Sequence, residues 1–127
     1  FPDLKKKVSQ KYYVYVIGLK PEYAETKKAK RDNPNFNPRA ENSRCYYVGY
    51  SSKTPEERYQ QHIEGYIGKK GFKLSSSTVE KFGYKELGLR YKKFKKYNPI
   101  KSKERAMKAE RELADRLRKK GHCVCQN

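Results

Sequence analysis

Two stretches decide the fold: Tyr12–Leu19, reading YYVYVIGL, and Cys45–Tyr50, reading CYYVGY. Both are β-branched and aromatic, in a chain where Lys and Arg make up 32 of 127 residues. Such runs suit the pleated surface of a sheet, so each predicts a strand. Side chains alternate along a strand, which puts Tyr13 and Tyr15 on one face of the first and Tyr47 opposite Tyr46 and Tyr50 on the second.

Outward from these strands, the 20–44 connection is rich in Pro, Asn and charge, with turns expected at Asn33-Pro34 and Asn37-Pro38. A connection of that length between adjacent strands is usually functional or mobile. Downstream, Thr54-Pro55-Glu56-Glu57 predicts a helix start: Thr54 as N-cap, Pro55 as first helical residue and Glu57 closing a capping box. That helix should run to about Glu64 and stop at Gly65, with Tyr59 and Ile63 on its apolar face. Ser77-Thr78-Val79-Glu80 is a second capping box, for a short helix ending at Gly83. Leu87, Leu89 and Tyr91 alternate as an edge strand would. Asn98-Pro99 turns the chain into a last helix, capped by Ser102 and ended by Gly121, and His122 to Gln126 closes as a short strand. The expectation is an α/β fold in a single domain over residues 1–127: a small mixed, largely antiparallel three-stranded sheet flanked by helices.

Composition narrows the function. Asp and Glu total 14, leaving a formal charge of +18. A strong field of one sign attracts polyanions, of which nucleic acid is the commonest, and the 12 tyrosines add stacking surface among the lysines. Membrane binding is not expected. No apolar run approaches the ~20 residues of a spanning helix, and no basic amphipathic helix carries Trp, Phe or Leu anchors. The three cysteines, Cys45, Cys123 and Cys125, lack a second ligand cluster at zinc-finger spacing. With no secretory leader visible, they read as small buried residues in a cytoplasmic, nucleoid-associated or other reducing intracellular setting.

The sharpest chemical clue is in the last helix. Helical spacing puts Ala106, Glu110, Leu113, Ala114 and Leu117 on one stripe, with Arg105, Lys108, Glu112, Arg116 and Lys119 opposite. Glu110 thus interrupts the apolar stripe, whereas Glu112 belongs with the solvated charges. An inward carboxylate is costly unless paired or bound to metal, and a buried Glu–Arg pair would account for it as readily as a ligand role. Arg58 and His62, four apart, share a face of the Thr54-capped helix. Arginine suits a phosphate clamp and histidine exchanges protons near neutral pH, although such a pair is commonly just a solvated helix face.

Taken in order, these elements resemble the GIY-YIG nuclease superfamily. Val14-Tyr15-Val16-Ile17, preceded by Tyr13, is similar to the first motif. Tyr47-Val48-Gly49 is similar to the second. Arg58 with His62 four residues on, Glu110-Arg111-Glu112-Leu113, and the closing Asn127 follow in the family's order. Tyr13 stands where the first motif has glycine, and the 20–44 connection is unusually long.

The resemblance implies a divalent-metal-dependent endonuclease that hydrolyses phosphodiester bonds, with DNA expected ahead of RNA. One Mg²⁺ or Mn²⁺ would have Glu110 as its only direct protein ligand, Arg58 would hold the phosphate, Tyr15 or His62 would act as base, and Tyr47 would orient the water or the base. Nearby cations are expected to lower the Tyr15 phenol from its ordinary pKa of about 10. Tyr13 and Asn127 are further candidates. Lys69, Lys70, Lys73, Arg90, Lys92, Lys93, Lys95 and Lys96 are candidate nucleic-acid backbone contacts. The expected state is a monomer or weak dimer. The competing expectation, resting on charge and tyrosines alone, is a non-catalytic basic nucleic-acid-binding module.

Overall fold

The computed structural model describes residues 11–64, 77–83 and 88–126, without the side chains of Ser77 and Glu80. The two tyrosine-rich stretches form strands as their composition dictates: β1 over Tyr13–Leu19 and β2 over Cys45–Ser51. They pair antiparallel, with Tyr15 opposite Gly49, Ile17 opposite Tyr47 and Leu19 opposite Cys45. The short closing strand, β3 over Cys123–Gln126, adds to the other side of β2 in parallel, from Cys45↔Cys123 to Val48↔Gln126. The result is a small mixed α/β arrangement with sheet order β1-β2-β3. Its central strand is buried from Cys45 to Gly49, and Cys45, Cys123 and Cys125 are free and buried.

The 20–44 connection is more ordered than its composition suggests. A 3-10 turn over Pro21–Glu25 leads into a helix, α1, over Lys27–Asp32, whose N-cap Thr26 accepts the Ala29 N–H at 3.1 Å. Buried Asn33 then ties the connection to β3. Its amide nitrogen donates to the carbonyls of Ala29 (2.9 Å) and Val124 (3.0 Å), and its Oδ1 accepts from Val124 N (2.9 Å) and Arg118 Nε (3.0 Å). One side chain thus satisfies backbone groups that burial would otherwise orphan.

The expected edge strand at Leu87, Leu89 and Tyr91 is not what covers β1. Leu87 lies outside the described residues. Leu89 makes only an isolated bridge to Ile17, and the chain goes on into 3-10 turns over Tyr91–Lys93 and Lys95–Tyr97. The free edge of β1 is instead satisfied piecewise. Lys20 N donates to Phe82 O, Gly18 N to Gly88 O and Arg90 N to Val16 O, and Tyr12 exchanges both bonds with Ile100. Asn98 takes the place of a neighbouring residue, its Oδ1 accepting Val14 N at 2.9 Å and its Nδ2 donating to Val14 O at 2.8 Å. A strand continuing through 98 would compete for those same groups on β1.

Helix α2 covers Pro55–Glu64, and its capping box forms in both directions between Thr54 and Glu57. Of Tyr59 and Ile63, expected to carry its apolar face, both are half-buried and Tyr59 packs against the core, while the residues it buries fully are Pro55 and His62. A short helix, α3, covers Ser77–Phe82. Its expected capping side chains, Ser77 and Glu80, and Gly65 beyond α2, lie outside what is described. The last helix, α4, covers Lys103–Lys119, capped by Ser102 and followed by Gly121 at φ 95°. It buries the stripe expected of it, Ala106, Glu110, Leu113, Ala114 and Leu117. No helix among the described residues is long and apolar enough to cross a membrane.

Candidate active site

Antiparallel register puts Tyr15 and Gly49 side by side on one face of the sheet, with Tyr47 two residues back on the same face. The space a larger residue at 49 would fill is taken by the Tyr15 ring: an added Cβ would lie 2.6 Å from Tyr15 Oη. Helix α2 lays His62 over this pair. Tyr15 Oη and His62 Nε2 are 3.0 Å apart, and the His62 ring centroid is 5.9 Å from that of Tyr15 and 5.4 Å from that of Tyr47. Tyr15 and His62 are fully buried and Tyr47 is 2% exposed. Arg58, one turn before His62, is half-buried and donates from Nη1 to Gln61 Oε1 at 3.0 Å.

Burial sets the protonation of this cluster. Desolvation, then Tyr47, pushes the Tyr15 phenol well above its ordinary range; Arg58 pulls it back less strongly, and Glu110 adds a small upward push. The expectation that cations would lower Tyr15 is therefore overturned, because loss of water outweighs the guanidinium. His62 moves the other way, from 6.5 down to about 4, by burial first and Arg58 second. At neutral pH the pair is a phenol and a neutral imidazole. A protonated phenol has one O–H to donate, and assigning it to Nε2 puts the ring proton on Nδ1.

Glu110 is 5% exposed on the inner stripe of α4. Burial raises its carboxyl from 4.5 to about 7, against hydrogen bonding from Gln126 and the charge of Arg111. No lysine or arginine forms an ion pair with it among the described residues, and its Oε2 has no hydrogen-bond partner. The buried Glu–Arg pair that would have explained it structurally is thus absent there. Among the described residues no group of three or more His, Cys, Asp and Glu is placed to hold a metal. A site with a single carboxylate ligand does not require one.

Comparison with known protein families, curated proteins and solved structures finds no match.

Of the residues singled out in the sequence, Tyr15, Tyr47 and His62 converge in contact. Arg58 and Glu110 lie close enough to act on Tyr15 electrostatically. Tyr13, half-buried opposite Ser51, has no hydrogen bond or ring contact to them among the described residues. Asn127, Lys69, Lys70 and Lys73 lie outside the described residues. Arg90, Lys92, Lys93, Lys95 and Lys96 belong to the segment along the edge of β1. Lys92, Lys95 and Lys96 are exposed, and the ammonium groups of Lys93 and Lys96 lie over the rings of Tyr46 and Tyr97. The sequence reading missed two supporting residues, Gln61 and Gln126. Gln61 follows Arg58 at helical spacing and was legible. Gln126 meets Glu110 only through the docking of α4 on β3.

Proposed function

We propose that the chain is a divalent-metal-dependent endonuclease that hydrolyses nucleic-acid phosphodiester bonds, DNA ahead of RNA, on a GIY-YIG-like fold. What carries the reading is Glu110: a buried carboxylate with no ion pair among the described residues and one oxygen lacking any partner, in a chain of formal charge +18. In a structural role that oxygen costs free energy and returns none. A hard cation such as Mg²⁺ or Mn²⁺, which takes one or two carboxylates and fills its shell with water and phosphate oxygens, fits such an oxygen. When bound, the cation supplies neutralisation of the phosphate and of the leaving oxygen.

The chain's own groups divide the remaining work. Arg58 holds non-bridging phosphate oxygens and offsets the charge that develops on them. His62, neutral at physiological pH, accepts the proton that Tyr15 Oη passes on from the attacking water. This makes the histidine the base and the phenol its relay. Tyr47, against both rings, fixes their orientation. The lysines along the β1 edge contact backbone phosphates.

Glu110→Ala is expected to abolish cleavage while leaving nucleic-acid binding intact, and Glu112→Ala, on the exposed face of α4, to change neither. Cleavage and gel-shift assays on the two variants decide it, and equal loss of activity in both would remove Glu110 from its role. One observation favours the competing binding module: Tyr15, Tyr47 and His62 are buried as fully as any core residue. Under that reading Glu110→Ala leaves every measured property but stability unchanged.

A further inference from the structure

On the opposite face of β2 from the tyrosine–histidine cluster, cations gather around a second aromatic–imidazole pair. Tyr46, opposite Gly18, directly precedes Tyr47 in β2 and points to the other face of the sheet. The Lys93 ammonium sits 5.0 Å from its ring centroid, and the His122 ring meets it edge-on with centroids 5.0 Å apart. The backbone N–H of Arg44 donates to His122 Nδ1 at 3.2 Å. An accepting Nδ1 puts the ring proton on Nε2, which has no partner among the described residues.

Arg44, Arg90, Lys93 and Lys120 come from three separate segments, and none of them pairs with a carboxylate among the described residues. They crowd one another. Burial, then Lys120 and Arg90, lowers Lys93; burial, then Lys93, Lys120 and Arg44, lowers His122. Lys120 closes α4, where a cation offsets the negative helix end. Arg44 Nη1 donates to the Ser43 carbonyl at 2.9 Å and Lys93 rests on the Tyr46 ring, but neither contact neutralises a charge, and the Nε2–H of His122 has no partner among the described residues.

We propose that Arg44, Arg90, Lys93 and Lys120, with the Nε2–H of His122, form a phosphate-binding site separate from the candidate active site. The inference rests on the nucleic-acid reading and extends it: a backbone phosphate held here anchors the substrate away from the point of cutting without reading its sequence. Guanidinium forks and ammonium groups both match phosphate oxygens, and the bonds formed are charge-assisted. The aromatic floor under Lys93 limits the positions its head can take.

The test uses the full chain with labelled histidine, followed by NMR. It has two histidines, and His62 is fully buried, so the His122 ring signals report on this site. The Glu110→Ala variant keeps oligonucleotides intact, so the result stands whether or not the chain cuts. Inorganic phosphate and a short oligonucleotide without terminal phosphate are titrated at constant ionic strength, with poly-glutamate as a carboxylate control. We expect a saturable shift of the His122 signals with phosphate or oligonucleotide. Saturation by both assigns the phosphate group itself, and saturation by the oligonucleotide alone assigns a backbone source. Lys93→Gln with Lys120→Gln is expected to weaken binding about tenfold or more per cation removed, the size of a charge-assisted hydrogen bond. Unmoved His122 signals, saturation by poly-glutamate alone, or equal affinity in the double variant would overturn the proposal.

Discussion

Replacing Gly49 by alanine puts a Cβ 2.6 Å from Tyr15 Oη and 2.8 Å from its Cζ, with Tyr47 Cε2 at 3.2 Å. Real Cβ contacts do not come that close, so the Tyr15 ring must move. It has little room to do so, because it is fully buried and packed against Tyr47 and His62. Overpacking of this kind costs about 1–3 kcal/mol, and losing the 3.0 Å Tyr15–His62 hydrogen bond adds about 1 kcal/mol. The total, about 2–4 kcal/mol, corresponds to a urea midpoint lower by about 1–2 M at an m value near ~2 kcal/mol/M. Cleavage should fall with it, since the displaced hydroxyl is the proton relay. The discriminating step is Tyr15→Phe in the Gly49→Ala background. Removing Oη relieves the 2.6 Å contact and leaves the one at 2.8 Å, so stability should be partly recovered, whereas Tyr15→Phe alone should cost about 1 kcal/mol. Additive losses in the double variant would refute the claim that Gly49 exists to admit the Tyr15 ring.

Stability should depend on pH through two groups of opposite sign. Glu110, raised from 4.5 to about 7, holds a proton in the folded chain that the unfolded chain has released, so its contribution is full below 4.5 and lost as pH rises to about 7. His62, lowered from 6.5 to about 4, contributes fully above 6.5 and loses that contribution as pH falls to about 4. Glu110→Gln should flatten the rising-pH loss alone, measured as urea midpoints across both windows; an unaltered profile would mean that another group titrates. Binding should also weaken steeply with salt, with a log–log slope near about −0.9 per phosphate contact on duplex DNA. Lys92→Ala with Lys93→Ala should flatten that slope and weaken all sequences alike, and loss of one preferred sequence at constant slope would make these lysines base readers instead.

Where local pattern and tertiary role coincide, the structure could be read in advance. The stripe of α4 is such a case: its five buried residues follow from helical spacing, and the Ser102 and Thr54 caps need only neighbours in sequence. The strands were legible because seven-residue runs of Val, Ile and Tyr have few alternatives in so charged a chain. The misses share a cause, which is dependence on distant partners. Helix α1 is six residues long, too short for a periodic signal, and is held by Asn33 reaching β3. The cover on β1 is a set of single bonds from a segment with no repeating pattern. In the site, the residue types and the inward Glu110 were visible. The direction of the Tyr15 shift was not, since it depends on how completely water is excluded, and that is a property of the packed core.

The central claim is most directly tested by incubating the chain with end-labelled single- and double-stranded DNA and RNA in Mg²⁺, in Mn²⁺, or in EDTA. Internal cleavage of nucleic acid, DNA ahead of RNA, is expected with either metal, and none in EDTA. Cleavage undiminished by EDTA, or tight binding with no cleavage under any condition, would contradict it.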